Sequence, residues 1–390
     1  MKKIKFGIIG CGLMGKEFAS AASRWCHLTE DVPIPEIVGV CNTSAPAMEW
    51  FRDNFSSVKY FVTDYRELLN KADIDAVYCA LPHNMHKEVY IAAIRAKKHF
   101  LGEKPFGMDL EANKEIMRAV YDNPDVCVRC ASEFPFFPAC MELIRWIKAK
   151  KFGKILEVHA GFNHSSDMDL SKPINWKRTV EINGEYGCMG DLGIHTQHIP
   201  FHVGWIPQNV YAVLSDIVKE RDDGHGNAVP CKTWDNATLI CDTKTDDGDT
   251  FPMYLETKRM EPGATNEWYI EVYGLENSAK FSTGDPNAFV YTQSVGKEQA
   301  WCRLDMGFKP QFKTITGDIF EFGFTDSILQ MWCAFLKEIV GEAVDFGCFT
   351  PEETALSHRL LTAALKSHRE KRAVALSETE QIAKKDNRKC

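Results

Sequence analysis

Short apolar runs alternate with amphipathic stretches along the first third of the chain. IKFGIIG (Ile4 to Gly10), EIVGVCN (Glu36 to Asn42), IDAVYCAL (Ile74 to Leu81), Lys98 to Glu103 and Val126 to Ser132 are too short for helices and mostly apolar, as expected of strands buried on both faces. Helix-forming segments such as KEFASAASRW stand between them. Alternation of this kind predicts a doubly wound parallel sheet. Beyond about Phe134 the pattern changes. A helix at PACMELIRWIKAKK is followed by strand-like segments at KILEVHAGFN, NVYAVLSDIV, NATLICDT, FPMYLETKRM and WYIEVYG. Consecutive strands predict antiparallel pairing, and KERDDGHGNAVP and TKTDDGDT have the polar, Gly- and Asp-rich composition of hairpin loops. The expected architecture is an α/β Rossmann domain over residues 1–134, then an α+β domain over 135–390 with an open, mostly antiparallel sheet.

Bulk composition narrows the class. At 390 residues the chain exceeds what one hydrophobic core serves, so two domains are the default. Its formal charge of −8 repels phosphate backbones, which argues against a nucleic-acid partner. Fourteen cysteines lie scattered without a regular framework, as reduced thiols would in a cytosol. The start MKKIKFGIIGCG resembles a lipoprotein signal, but its apolar segment spans only Ile4 to Ile9 and is broken by Lys5 and Gly7. No apolar run reaches the roughly 20 residues of a membrane span. A cytoplasmic location with no membrane partner is expected.

The first apolar strand leads into Gly10-Cys11-Gly12-Leu13-Met14-Gly15. In strand, GxGxxG, helix order, the first glycine permits a tight turn and the second lets backbone approach a pyrophosphate. The third lets the helix pack closely, with its N-terminus facing the phosphates. Where an acidic residue would bind the adenosine ribose, the second strand ends in Asn42-Thr43-Ser44, and no Arg or Lys lies between Asn42 and Met48. NAD is the expected cofactor, with NADP as the open alternative.

A second constellation lies in GDLGIHTQHIPFH (Gly190 to His202). Asp191, His195, His198 and His202 recur at steps of four, three and four, one face of a helix. Spacing alone leaves metal binding, proton transfer and packing open. Pro200 removes a backbone donor and is expected to bend the register before His202, which disfavours the convergent geometry zinc requires. No metal is expected, and His198 and His202 are assigned to packing.

ALPHNMHKE (Ala80 to Glu88) and the strand end Glu103-Lys104-Pro105 join these motifs. In this order the set resembles the glucose-fructose oxidoreductase, inositol dehydrogenase and rhizopine catabolism family (Gfo/Idh/MocA), which carries an EKP strand end and a DxxxH motif. The likeness extends to the late segment FTPEETALSHRLLTAALKSHREKRAVAL, which looks like the family's closing helix and strand. The resemblance implies hydride transfer between a nicotinamide and a secondary hydroxyl. It assigns His195 as base, Lys104 as hydrogen-bond donor to the reacting oxygen and Asp191 to orienting substrate or imidazole. Leu81, Pro82, His83, His86, Glu103 and Lys104 join the glycine loop and residues 42–44 as expected cofactor contacts.

On the substrate side, Trp176, Lys177 and Arg178 precede the DxxxH segment where relatives contact substrate. The two adjacent cations either diverge or converge on an acidic group. Glu133 and Phe134 stand where relatives often have an aromatic residue and Arg, and Glu133, His164 and Tyr186 are further polar candidates. The implied partner is a small carbohydrate or polyol, and the open sheet implies a homodimer or homotetramer. Two alternatives use the same residues: a redox-neutral NAD-dependent glycosidase, conceivably on an acidic glycoside such as a sulfoquinovoside, and a cofactor-binding regulator without turnover.

Overall fold

A computed structural model of the chain describes residues 2–295, 297–306, 309–317 and 322–379. The helices are α1 (Leu13–Ser23), α2 (Glu49–Asn54), α3 (Tyr65–Leu69), α4 (His86–Arg95), α5 (Leu110–Tyr121), α6 (Pro138–Lys148), α7 (Val180–Asn183), α8 (Cys188–His202), α9 (Phe324–Ile339) and α10 (Pro351–Glu370). Two compact units form. One comprises Met1–Gly107, Glu111–Pro138 and Gly307–Thr354, and the other Met108–Leu110, Ala139–Met306 and Ala355–Cys390.

In the first unit, strands β1 (Lys3–Ile9), β2 (Ile34–Cys41), β3 (Tyr60–Val62), β4 (Ala76–Cys79), β5 (His99–Gly102) and β6 (Val128–Cys130) make one sheet in the order β3-β2-β1-β4-β5-β6. Every pairing is parallel. This is the doubly wound arrangement that the apolar runs predict. The short edge strand β3 is half-buried throughout and only three residues long (YFV), too short for the hydrophobic pattern to mark it.

The first unit breaks off at Pro138, and residues 307–354 return to it. The reason lies in α9, whose Trp332 is fully buried with ring centroids 4.5 Å from Phe6 of β1 and 3.6 Å from Phe18 of α1. Arg24 reaches Asp326 at 2.6 Å, and Phe349 C=O accepts the Cys130 N–H at 2.8 Å. An apolar helix face read locally does not say which sheet it covers.

The second unit is built on strands β7 (Ile155–Asn163), β8 (Ile206–Ser215), β9 (Glu220–Asp222), β10 (Ala228–Pro230), β11 (Asn236–Lys244), β12 (Thr250–Lys258), β13 (Glu267–Gly274), β14 (Ser278–Ser282), β15 (Ala288–Val295), β16 (Glu298–Asp305) and β17 (Val374–Ala375). Nine of them form a sheet in the order β16-β15-β14-β13-β7-β12-β11-β8-β17. Pairing is antiparallel except between β7 and β12. Burial alternates along β8 and β11, so one face is covered and the other open. The stretch 219–230, expected as a loop, instead makes the β9–β10 hairpin. Its turn is closed by Asp222 and Asp223, whose carboxylates accept the N–H groups of Gly224, His225 and Asn227. Residues 243–250 do connect β11 to β12 as a hairpin.

The described cysteines are all free, and no helix among the described residues is long and apolar enough to cross a membrane. Trp332→Ala should cost about 3–5 kcal/mol in chemical denaturation, because it opens a cavity between β1 and α1. Trp301→Ala, on a half-exposed ring, should cost less than about 1 kcal/mol.

Candidate active site

The glycine loop follows β1. Gly10 has φ +102°, and a Cβ there would lie 2.1 Å from the Ala80 carbonyl oxygen, so only glycine makes this turn. At Gly15 a Cβ would lie 2.1 Å from the Gly10 carbonyl oxygen, which closes α1 onto the loop. Gly12 differs, because nothing stands within 4 Å of its Cβ position, and the adjacent Leu13 is 74% exposed. It also caps α1 without a side-chain hydrogen bond. An open backbone at an uncapped helix N-terminus fits the pyrophosphate of a dinucleotide. Asn42 Oδ1 accepts the Cys11 N–H at 3.2 Å and its Nδ2 donates to the Ser44 carbonyl at 3.2 Å, so this side chain pins the loop between β1 and β2. Thr43 and Ser44 are exposed. Burial, with Cys41 close by, pushes the Cys11 thiol up to about 12, so it stays neutral.

At the ends of β4 and β5 the chain is tied by a relay of rings. His86 is fully buried, its Nε2 lies 2.9 Å from the Leu81 carbonyl oxygen, and its ring stacks on Tyr90 at 4.6 Å. Tyr90 donates its hydroxyl to the Glu103 carbonyl at 2.7 Å, and Tyr78 donates to Glu103 Oε1 at 2.7 Å. Leu81 and Pro82 lead into this turn, and His83 is buried in it. His86 and Tyr90 therefore link the ends of β4 and β5, and the His83 ring lies 5.4 Å from that of His86. Lys104 emerges half-buried from this anchored point, followed by a cis bond to Pro105 and by Phe106 and Gly107 at φ 66° and 124°.

In the second unit α8 is buried from Cys188 to Phe201, which explains its lack of a polar face. The helix continues through Pro200 to His202 instead of breaking, and it runs only two residues beyond the proline. Asp191 and His195 share one face, one turn apart, and are 1% and 4% exposed. The His195 carbonyl accepts the Trp268 indole N–H at 2.8 Å, and the edge of its ring meets Phe162 at 5.3 Å. The His198 and His202 rings meet edge to face with centroids 5.8 Å apart.

A buried carboxylate requires compensation, and Asp191 Oδ2 has two cations. Lys177 donates to it at 2.8 Å, and Arg259 Nη2 lies 3.5 Å away. Arg259 is itself buried and donates through Nη1 to the Lys177 carbonyl at 3.1 Å, while the Lys177 side chain is 39% exposed. Lys177 also lies 5.8 Å from the half-buried Trp176 ring. His164 is drawn down to about 4 by burial and then by Lys177 and Arg259, against the pull of Asp191. It is therefore a neutral imidazole in the physiological range, with Nδ1 2.7 Å from Ser166 Oγ.

Lys177 and Arg178 do not converge. Arg178 is fully buried between Asp167, at 2.6 Å, and Asp235. Asp235 also accepts the N–H groups of Ile217 and Val218, so this ion pair ties three segments together. Tyr186 is likewise built into the unit, its hydroxyl 2.7 Å from Thr362 Oγ1. Glu133 belongs to the first unit and is buried there. The residue that sequence reasoning passes over is Arg259, one position past β12 in ETKRM, where no motif marks it.

Comparison with known proteins agrees with this geometry. Residues 4–129 match the model of an oxidoreductase family with an NAD-binding Rossmann fold, and residues 140–280 match the C-terminal domain model of the same Gfo/Idh/MocA family. The chain belongs to the Gfo/Idh/MocA oxidoreductases. Among its relatives, levoglucosan dehydrogenase of Pseudarthrobacter phenanthrenivorans is 25% identical over 294 residues, covering 72% of this chain and 74% of that protein. Glucose-6-phosphate 3-dehydrogenase of Bacillus subtilis is 26% identical over 292 residues, covering 74% and 77%. A solved structure of levoglucosan dehydrogenase in complex with NADH superposes with a TM-score of 0.84 at 20% identity, over 96% of this chain and 99% of that one. At that identity the likeness supports the fold.

The two adjacent cations should separate in a denaturation experiment. Arg178→Met strands Asp167 and Asp235 and should destabilise the protein by about 3–5 kcal/mol. Lys177→Met removes a partly exposed cation, leaves Arg259 beside Asp191 and should cost about 1 kcal/mol or less.

Proposed function

We propose that the protein is an NAD-dependent dehydrogenase that oxidises a secondary hydroxyl of a sugar, glycoside or cyclic polyol in the cytoplasm. The carrying observation is the presence, in one chain of this family, of an open glycine cradle at the N-terminus of α1 and a buried Asp191–His195 face on α8. The named relatives act on carbohydrates, which supports the substrate class. When bound, the nicotinamide supplies the hydride acceptor. His195 takes the hydroxyl proton, a task suited to an imidazole near working pH. Lys104 donates a hydrogen bond to the oxygen as negative charge develops there. Asp191, fixed by Lys177 and Arg259, orients a neighbouring hydroxyl, and Lys177 and Trp176 contribute the solvent-side contacts to the ring.

Gly10, Cys11, Gly12, Leu13, Met14 and Gly15 receive the pyrophosphate, with Asn42, Thr43 and Ser44 beside the adenosine ribose. Without a carboxylate at 42–44, discrimination against NADP rests on space and hydroxyl contacts alone. Self-association would use the open face of the large sheet, where Tyr211, Val213 and Ile240 are exposed and Ile240 pairs with Tyr211.

The test is a panel of hexoses, anhydrosugars, sugar phosphates, glycosides and inositols with NAD and NADP, followed by reduced nicotinamide and by aglycone release. NADH accumulation with an intact glycoside is expected, and aglycone release without net NADH would replace this reading with redox-neutral cleavage. Lys104→Ala and His195→Ala should each lower kcat by about 10²–10⁴-fold. Full turnover by either variant at saturating substrate would remove that residue from the chemistry. Light scattering should report a dimer or tetramer that Ile240→Asp weakens, and a monomeric wild type would refute the sheet-face association.

A further inference from the structure

One buried carboxyl in the first unit has no part in the roles above. Glu133 lies three residues past β6 in a stretch, Ala131–Phe137, that is buried throughout and mostly apolar. The sheet determines what lies next to it. Gly102 of β5 pairs with Cys130 of β6, and the Ala131 N–H donates to the Gly102 carbonyl at 2.9 Å. The chain leaving β6 therefore runs beside the chain leaving β5, which is Glu103 followed by Lys104. Glu103 is also buried, and the Tyr78 and Tyr90 hydroxyls hold its side chain and its carbonyl.

This corner of the sheet thus gathers two buried carboxyls and one ammonium. Two ionised carboxylates would leave an excess negative charge out of water, whereas one proton on Glu133 makes the group neutral. Burial, then the Glu103 charge, pushes Glu133 up to about 8, against the pull of its own backbone hydrogen bond and of Lys104. Among the described residues, the other titratable groups coupled to this corner include Tyr78 and Cys79 of β4, Tyr90 of α4, Cys130 of β6 and Glu353 at the start of α10. Burial drives Tyr78, Cys79 and Cys130 far above the neutral range.

We propose that Glu133 is a positioning residue for Lys104, a second buried carboxyl beside the strand end Glu103-Lys104 whose charge decides how firmly Lys104 keeps its own proton. Near neutral pH Glu133 is an acid and adds no charge beside the ammonium. As the pH climbs past about 8, Glu133 ionises and the added negative charge holds Lys104 in its charged, donating form. The device extends the working range on the alkaline side. Its kinetic consequence rests on the dehydrogenase reading, whereas the proton itself can be observed without any substrate.

Difference infrared spectroscopy of the full chain between about pH 6 and pH 10 reads that proton directly, because exposed carboxyls are already ionised there. Wild type should show a protonated-carboxyl band that bleaches with a midpoint near 8, absent from Glu133→Gln and kept at a shifted midpoint in Glu133→Asp. No such band in wild type, or the same band in Glu133→Gln, overturns the proposal. Circular dichroism verifies that the amide, which preserves volume, folds. In kinetics, the alkaline limb of kcat/KM should fall about one pH unit earlier in Glu133→Gln, with Glu133→Asp restoring part of the range. An unmoved limb with Lys104 essential refutes the coupling. Full activity in Lys104→Ala instead marks failure of the dehydrogenase reading.

Discussion

A carboxylate removed from water must be matched by positive charge, and the second unit is arranged around meeting that demand at Asp191. Helix α8 is enclosed on all sides, so its one acidic residue has no solvent to turn to. The turn Trp176–Arg178 delivers Lys177 to it and the end of β12 delivers Arg259. The two cations differ in kind. Arg259 is fixed by the Lys177 carbonyl and Thr233, while Lys177 reaches solvent at the end of a flexible stem. A permanent counter-ion and an exchangeable one on the same oxygen leave Lys177 able to respond to a ligand while Asp191 keeps its charge.

In the first unit the governing constraint is steric. Gly10 and Gly15 are closed against backbone within about 2 Å of where a side chain would begin, while Gly12 faces open space. The loop is therefore rigid on its inner side and empty on its outer side. The ring relay from His86 through Tyr90 and Tyr78 does for the end of β5 what those contacts do for the loop. It fixes the point from which Lys104 departs.

Much of this could be read from the chain. The central parallel strands were legible because burial on both faces leaves unbroken apolar runs, and the glycine loop because three backbone requirements share one spacing. Asp191 and His195 were legible through helical periodicity, although their purpose became specific only beside the other motifs. What escaped was set by tertiary partners. Arg178 looks like a twin of Lys177 until Asp167 and Asp235, 11 residues before it and 57 after it, claim its guanidinium. Arg259 carries no local mark. Local composition favoured a loop at 219–230, where a pair of Asx turns instead closes a hairpin. Residues 307–354 look like a continuation of the second domain because nothing in an amphipathic helix names the surface it will cover.

That last segment also bears on how the protein comes to be folded. The indole of Trp332 fills the space between Phe6 and Phe18, so the nucleotide-binding half cannot finish its core while its own first 138 residues are all that the ribosome has released. Its N-terminal sheet must wait, with an apolar face uncovered, through synthesis of nearly the whole of the other half. Completion of that core is thereby tied to arrival of the late chain, and a nascent fragment without α9 would offer chaperones an unfinished apolar surface.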